Sequence, residues 1–309
     1  MSFAEKLVAW QRRQGRHDLP WQGTRDPYRI WLSEVMLQQT QVATVIPYYE
    51  RFLKKYPSVE FLASASQEEV LQLWSGLGYY ARGRNLHAAA KEIARNGFPK
   101  DIAKLPGVGR STAAAIAVFA FGERAAIMDG NAKRVLARVF GVPDPDWDLA
   151  ERELPQKDVA VYTQALMDLG ATVCTRRPDC ARCPVQRGCV ARRKDRVAEL
   201  PAPRVRKVLP LRHATWSILK RNDQILLERR PSSGIWGGLW CFPEAAKPGG
   251  RKLPPIEHGF THFRLKIQPV LREVRKRIPA GPAQRWMRLA DVASAAVPTP
   301  VRRLISSLR

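Results

Sequence analysis

Two hydrophobic rhythms divide the chain. Up to about residue 190 apolar positions recur at helical spacing, and further on the period falls to two. Ser2-Phe3-Ala4-Glu5 is a capping-box pattern that opens a short amphipathic helix through Leu7 and Trp10. Asp26-Pro27 is an N-cap and first-turn pair for a second helix, on which Glu34, Gln38 and Gln41 fall at i, i+4 and i+7 and so share a face, with Ile30, Leu37 and Val45 as apolar positions around them. Ser66-Gln67-Glu68-Glu69 caps another, with Val70, Leu73 and Trp74 apolar, ending at Gly76 or Gly78. Helices are also expected from Ser111-Thr112 to Gly122, over 82–96 closed by Gly97, and over 131–140 closed by Gly141. Beyond the shift in rhythm, Ala214–Leu219 and Gln224–Glu228 flank Arg221-Asn222-Asp223 as a hairpin. Phe263, Leu265 and Ile267 alternate with Arg264, Lys266 and Gln268, and Thr299-Pro300 caps a last helix with Val301, Leu304, Ile305 and Leu308 on one face.

The change of period coincides with a basic, proline-bearing connector, Arg192-Arg193-Lys194 and Pro201-Ala202-Pro203-Arg204-Val205-Arg206-Lys207. Expected boundaries are therefore a helical domain over 1–191, a linker over 192–211 and a small α+β domain over 212–309. The 309 residues suffice for two cores. Charge sharpens the picture: 52 Lys and Arg against 28 Asp and Glu leave a net +24, which points to a polyanionic partner, nucleic acid before membrane surface. No 18-residue apolar run and no signal-peptide core are present, so a soluble, cytoplasmic protein is expected.

Four of the five cysteines crowd into Cys174-x5-Cys180-x2-Cys183-x5-Cys189, which in a reducing compartment suggests metal ligation. Structural zinc usually takes two separated Cys-x-x-Cys knuckles, and only one is present. A compact loop round a four-iron four-sulfur cluster fits better, with zinc or no stable metal as the alternatives. Cys241 reads as a small buried hydrophobe.

The helical half centres on Leu105-Pro106-Gly107-Val108-Gly109, a tight turn feeding the N-terminus of an apolar helix. Such a turn offers backbone N–H groups to an anion, here a DNA phosphate; an ordinary helix–turn–helix corner fits it equally well. Leu105–Ala113 resembles the helix-hairpin-helix of the endonuclease III superfamily of DNA glycosylases, with Asp129 at the place of that superfamily's catalytic aspartate. Three further segments, Trp31-Leu32-Ser33-Glu34-Val35-Met36-Leu37-Gln38-Gln39-Thr40, Gly76-Leu77-Gly78-Tyr79-Tyr80-Ala81-Arg82 and Asp129-Gly130-Asn131, resemble the MutY-type adenine glycosylases over most of residues 1–243.

The resemblance implies a mostly α helix-hairpin-helix glycosylase fold with an iron–sulfur loop, joined to a small α+β Nudix-like domain. It also implies a monomer that acts on double-stranded DNA carrying adenine opposite 8-oxoguanine or G. Breaking an N-glycosidic bond requires a general acid for the leaving base and an ionised carboxylate for the cationic sugar. Glu34 would be the acid and Asp129 the carboxylate, with Asn131 orienting Asp129 or the water. Ser111 stands where bifunctional relatives carry a Schiff-base lysine, which implies base excision without efficient strand cleavage. Gln38 and Tyr79 would act as wedges during base flipping, Trp21 would line the adenine pocket, and Gly107, Gly109, Arg82 and Arg84 would meet phosphates. The four cysteines would hold a structural cluster, although the x5 spacing between Cys174 and Cys180 is one residue short of the family's x6. Gly234–Pro243 resembles the Nudix-fold segment without the catalytic box. Phe260-Thr261-His262 resembles the Phe-Ser-His loop that recognises 8-oxoguanine, with Thr in place of Ser. Two other readings remain: an endonuclease III-like glycosylase/lyase, and a catalytically silent DNA-lesion binding protein.

Overall fold

The computed structural model describes residues 1–203, 208–292 and 294–308, so the central part of the basic connector lies outside the described residues. In chain order the helices are α1 (Phe3–Gln14), α2 (Pro27–Leu37), α3 (Val42–Lys55), α4 (Val59–Ser64), α5 (Gln67–Trp74), α6 (Tyr80–Asn96), α7 (Arg110–Phe121), α8 (Gly130–Phe140), α9 (Trp147–Arg152), α10 (Val159–Asp168) and α11 (Val190–Arg193). Strands β1 (Leu211–Arg221), β2 (Gln224–Arg229), β3 (Trp240–Cys241), β4 (Arg251–Lys252), β5 (Ile256–Gly259), β6 (Arg264–Glu273) and β7 (Gln284–Arg288) follow, then α12 (Leu289–Val292) and α13 (Thr299–Ser307). No helix among the described residues is long and apolar enough to cross a membrane.

The chain packs as two compact units, Met1–Lys54 with Glu92–Val205, and Lys55–Lys91 with Arg206–Arg309. In the first, α1 and α10 pack together, α2 lies on α7, and α8 joins them through Ala132, Val135, Leu136 and Val139 against Leu7, Trp10, Ala115, Ile127 and Leu166. Capping chemistry fixes several starts. The Ser2–Glu5 capping box opens α1, the Asp26 carboxylate accepts from Tyr28 N to open α2, and Asp129 opens α8. Gly122 and Gly141 close α7 and α8 in the left-handed conformation.

In the second unit the sheet order is β3-β2-β1-β6-β4, with β5 also on β6 and β7 on β2. The expected hairpin is β1–β2, turned at Asn222 with φ +52°. Its long central pairing is the parallel β1–β6 ladder, Leu211 opposite Arg264 through Lys220 opposite Glu273. Helices α4, α5 and most of α6 belong to this unit for a visible reason. The Trp240 indole donates to Glu68 (2.9 Å), Arg84 donates to the Gly237 carbonyl (2.9 Å), and the Tyr80 hydroxyl donates to the Val297 carbonyl (3.1 Å).

Three local expectations are corrected. Helix α2 stops at Leu37, because Gln38 is already its C-cap and Gln39 is left-handed at φ +56°; Gln41 therefore shares no helical face with Glu34. Gly109, not a side chain, is the N-cap of α7, which leaves Ser111 for other work. Helix α13 starts from Pro298 as its N-cap, and Thr299 is already its first turn.

Candidate active site

Glu34 on α2 lines a pocket of about 600 Å³ in the first unit together with Gln11, Arg16, Trp21, Ile30, Ser33, Phe119 and Gln164. Helix α2 brings Glu34 there because its other faces are spent on the core: Ile30, Trp31, Leu32, Val35 and Met36 are all buried. Loss of solvation, and secondarily the charge of Asp129, push the Glu34 carboxyl up to about 8. At neutral pH it holds its proton. Trp21 is buried at the pocket, edge-on to Tyr49 with ring centroids 5.5 Å apart.

Asp129 combines two tasks. Its carboxylate caps α8 by accepting from Ala132 N at 2.7 Å. Burial raises its pKa, while N–H donors of Ala132 and Asn131 and the charge of Arg134 pull it back. Both acids are desolvated, but Glu34 faces a negative neighbour while Asp129 is supplied with donors and a cation that oppose the rise. Ser111 accepts from Met128 N at 3.0 Å, immediately before Asp129, so the start of α7 and the start of α8 are tied together at the site.

Arg134, which has no motif of its own, proves central. Its guanidinium donates to Asn131 Oδ1 (2.7 Å), to the Gly170 carbonyl (2.6 Å) and to the Cys174 carbonyl (2.7 Å). With its oxygen turned to Arg134, the Asn131 amide offers its N–H to Asp129. A five-residue π turn, Leu169–Val173, presents both carbonyls, and an added Cβ at Gly170 would lie 2.6 Å from Asn131 Cβ. The far pocket wall is set by Asp168, which is wholly buried and accepts from Arg16 Nε (2.8 Å), Arg16 N (2.9 Å), Gln11 Nε2 (3.0 Å) and Gln164 Nε2 (2.9 Å). Since a carboxylate only accepts, the nitrogen of Gln164 faces Asp168, which leaves its carbonyl oxygen and one N–H available.

At the hairpin, Gly107 takes φ +77° and Gln38 donates to the Gly107 carbonyl (3.1 Å) and Thr112 Oγ1 (3.2 Å). Gly109 supplies no side-chain cap, so the first-turn N–H groups of α7 face outward for an anion. In the second unit Tyr79 is half exposed (51 %) in a left-handed conformation, φ +46°. Arg82 and Arg84, expected at phosphates, have partners within the chain. Arg82 is buried, its guanidinium 5.4 Å from the centroids of both Trp74 and Tyr79, and desolvation lowers its pKa to about 10. Arg84 holds Gly237. Arg82 thus backs the Tyr79 ring from within. Thr261 and His262 are exposed at the tip between β5 and β6, with Phe260 half-buried beneath them.

Cys174, Cys180, Cys183 and Cys189 line one pocket with Val135, Leu169, Val173, Val185 and Val197. Burial raises the thiols of Cys174 and Cys183, and the sulfurs lie close enough for Cys183 to feel the charge of the other three. Arg138 donates to Cys174 Sγ at 3.5 Å, and Cys189 Sγ lies 3.3 Å from the Arg138 carbonyl. Among the described residues no group of three or more Cys, His, Asp or Glu converges on a single metal ion. The donor set, four thiols round an apolar pocket with an arginine beside it, suits a thiolate-bound metal or iron–sulfur group.

This arrangement defines a helix-hairpin-helix glycosylase site. Residues 32–157 match the HhH-GPD superfamily of base excision DNA repair proteins, and residues 214–307 match the NUDIX domain. The chain is 34 % identical to an adenine DNA glycosylase of Buchnera aphidicola, over 99 % of this chain and 97 % of that one. It is also 34 % identical to human adenine DNA glycosylase, over 98 % of this chain and 73 % of the human one. A solved thermostable thymine-DNA glycosylase superposes with a TM-score of 0.58 at 30 % identity, over 62 % of this chain and 95 % of that one. The chain belongs to the adenine DNA glycosylase family.

Proposed function

We propose that the chain is a monofunctional adenine DNA glycosylase that removes adenine opposite 8-oxoguanine or G from double-stranded DNA. One observation carries the reading: a carboxyl kept protonated at neutral pH lines a pocket of about 600 Å³ beside a second, donor-supplied carboxyl. A buried adenine must first leave the stack, with Tyr79 and Gln38 taking its place. In the pocket, Trp21 supplies an aromatic wall and the Gln164 carbonyl accepts from the adenine amino group. Glu34 then donates its proton to N7, and the C1′–N9 bonding pair departs with the base. Asp129, oriented by Asn131 and Arg134, stabilises the cationic sugar until water adds at C1′ and gives its proton to a carboxylate of the site, which Glu34 has become. Ser111 carries no amine, so no Schiff base forms and the strand stays intact.

The helical domain over 1–191 supplies this chemistry. The Nudix-like domain over 212–309, reached through the 192–211 linker, supplies Phe260, Thr261 and His262 for 8-oxoguanine. The hairpin N–H groups of Gly107 and Gly109 and the +24 charge serve the phosphate backbone. Cys174, Cys180, Cys183 and Cys189 would hold a four-iron four-sulfur cluster, which when bound stiffens the basic loop carrying Arg176, Arg177, Arg182 and Arg187. The protein acts as a cytoplasmic monomer.

Single-turnover excision on duplexes containing A opposite 8-oxoguanine, A opposite G, and C opposite 8-oxoguanine tests this reading. Breaks appearing only after alkali, and only on the two adenine duplexes, are expected. Binding with no breaks would establish a silent lesion binder, and breaks without alkali would establish a lyase.

A further inference from the structure

The Thr261–His262 tip is built against the rules of tight hairpins. Pairing of Gly259 with Arg264 leaves Phe260 opposite Phe263, so two residues make the turn, and Phe260 N donates to the Phe263 carbonyl at 2.9 Å. Two-residue hairpin loops favour Gly, Asn or Asp because the backbone must enter positive φ. Neither Thr261 nor His262 does so here. The turn chemistry itself therefore does little to hold the tip, and something else has to.

The candidate is an aromatic seat. The Phe260 ring stacks on Phe263 (4.4 Å, 18°), meets His258 edge-on (4.8 Å, 79°) and tilts against Trp236 (5.5 Å, 48°). Trp236 also touches His258 (5.5 Å) and Trp216 (5.7 Å), and Trp216 continues to Phe242 (5.6 Å) in the core. Arg212 caps the outer face of Phe263 at 4.4 Å. Trp236 reaches its place only by adopting φ +53°, in a turn bracketed by Gly234 at +85° and Gly238 at +77°. A bulky side chain in that region is strained and persists only when its surroundings demand it. Burial and the nearby Arg303 keep His258 neutral, which suits an imidazole packed between two rings.

We infer that His258 and Trp236 are positioning residues for the Phe260–Phe263 turn, fixing Thr261 and His262 so that adenine excision distinguishes 8-oxoguanine from G in the opposite strand. This rests on the lesion-recognition reading of that turn. Neither residue touches the reacting atoms.

The test compares wild type, His258→Ala and His258→Phe. It measures single-turnover excision opposite 8-oxoguanine and opposite G, and hydrogen exchange at the Phe260 amide. An aromatic contact of this kind changes an equilibrium by roughly three- to tenfold. His258→Ala should lower the preference for 8-oxoguanine over G by about that factor and raise exchange at Phe260. Excision opposite G should be unchanged, which also shows that the variant is folded. His258→Phe, which keeps a ring, should restore both readouts. Unchanged exchange and unchanged preference in His258→Ala would overturn the inference, as would a loss that His258→Phe does not rescue. A wild-type enzyme with no preference for 8-oxoguanine would overturn both this inference and the lesion reading. A preference that exists but ignores His258 would overturn the inference alone.

Discussion

Glu34 is held in a state the unfolded chain would not choose, and that has a measurable cost. Its carboxyl titrates near 4.5 without the fold and near 8 within it. Below pH 4.5 both forms are protonated and the group is neutral to stability. As pH rises from 4.5 to 8 the unfolded chain releases the proton while the folded chain keeps it, so stability falls across that window and levels off above it. At pH 7 the gap is about 2.5 pH units, or on the order of 3 kcal/mol; above pH 8 it approaches about 5 kcal/mol. Glu34→Gln has nearly the same shape and never ionises. The variant should melt roughly 5–10 °C higher than wild type at pH 7, converge with it near pH 4.5, and gain further by pH 8.5. Thermal unfolding followed by circular dichroism at the three pH values checks this. A melting difference independent of pH, or a variant less stable than wild type throughout, would refute the account of Glu34 as a desolvated neutral acid.

Other predictions follow from the same geometry. Ser111→Lys would place an amine beside Asp129, where Ser111 now accepts from Met128 N; strand breaks without alkali, and a product trapped by borohydride, should appear at the expense of stability. Gly170→Ala would drive a Cβ to 2.6 Å from Asn131 Cβ, displacing the partner of Arg134 and Asp129. It should cost about 1–3 kcal/mol of stability and slow single-turnover excision more than it weakens DNA binding.

Glu34, Asp129 and the four cysteines stand in contiguous segments, so a family resemblance could propose them from the sequence, and the capping residues Ser2, Asp26 and Ser66 marked their helices correctly. Errors arose where backbone conformation overrides periodicity: Gln39 turns left-handed and ends α2 before Gln41. The partners of Arg82 and Arg84 inside the chain, the Trp74 and Tyr79 rings and the Gly237 carbonyl, were not legible because they lie in other segments or depend on the turn at Tyr79. Arg134 was not legible because two of its partners, the Gly170 and Cys174 carbonyls, are brought to it only by the π turn at the end of α10. His258 and Trp236 were equally hidden, since ring contacts between a strand and a distant turn leave no periodic trace.

The central claim is that a neutral Glu34 drives adenine release, and its most direct test is the pH dependence of single-turnover excision of adenine opposite 8-oxoguanine. The rate should hold steady at neutral pH and fall about tenfold per pH unit above roughly pH 8, as Glu34 loses its proton. Glu34→Gln should bind the duplex yet excise nothing. A rate that climbs through pH 8, or a wild-type profile reproduced by Glu34→Gln, would contradict it.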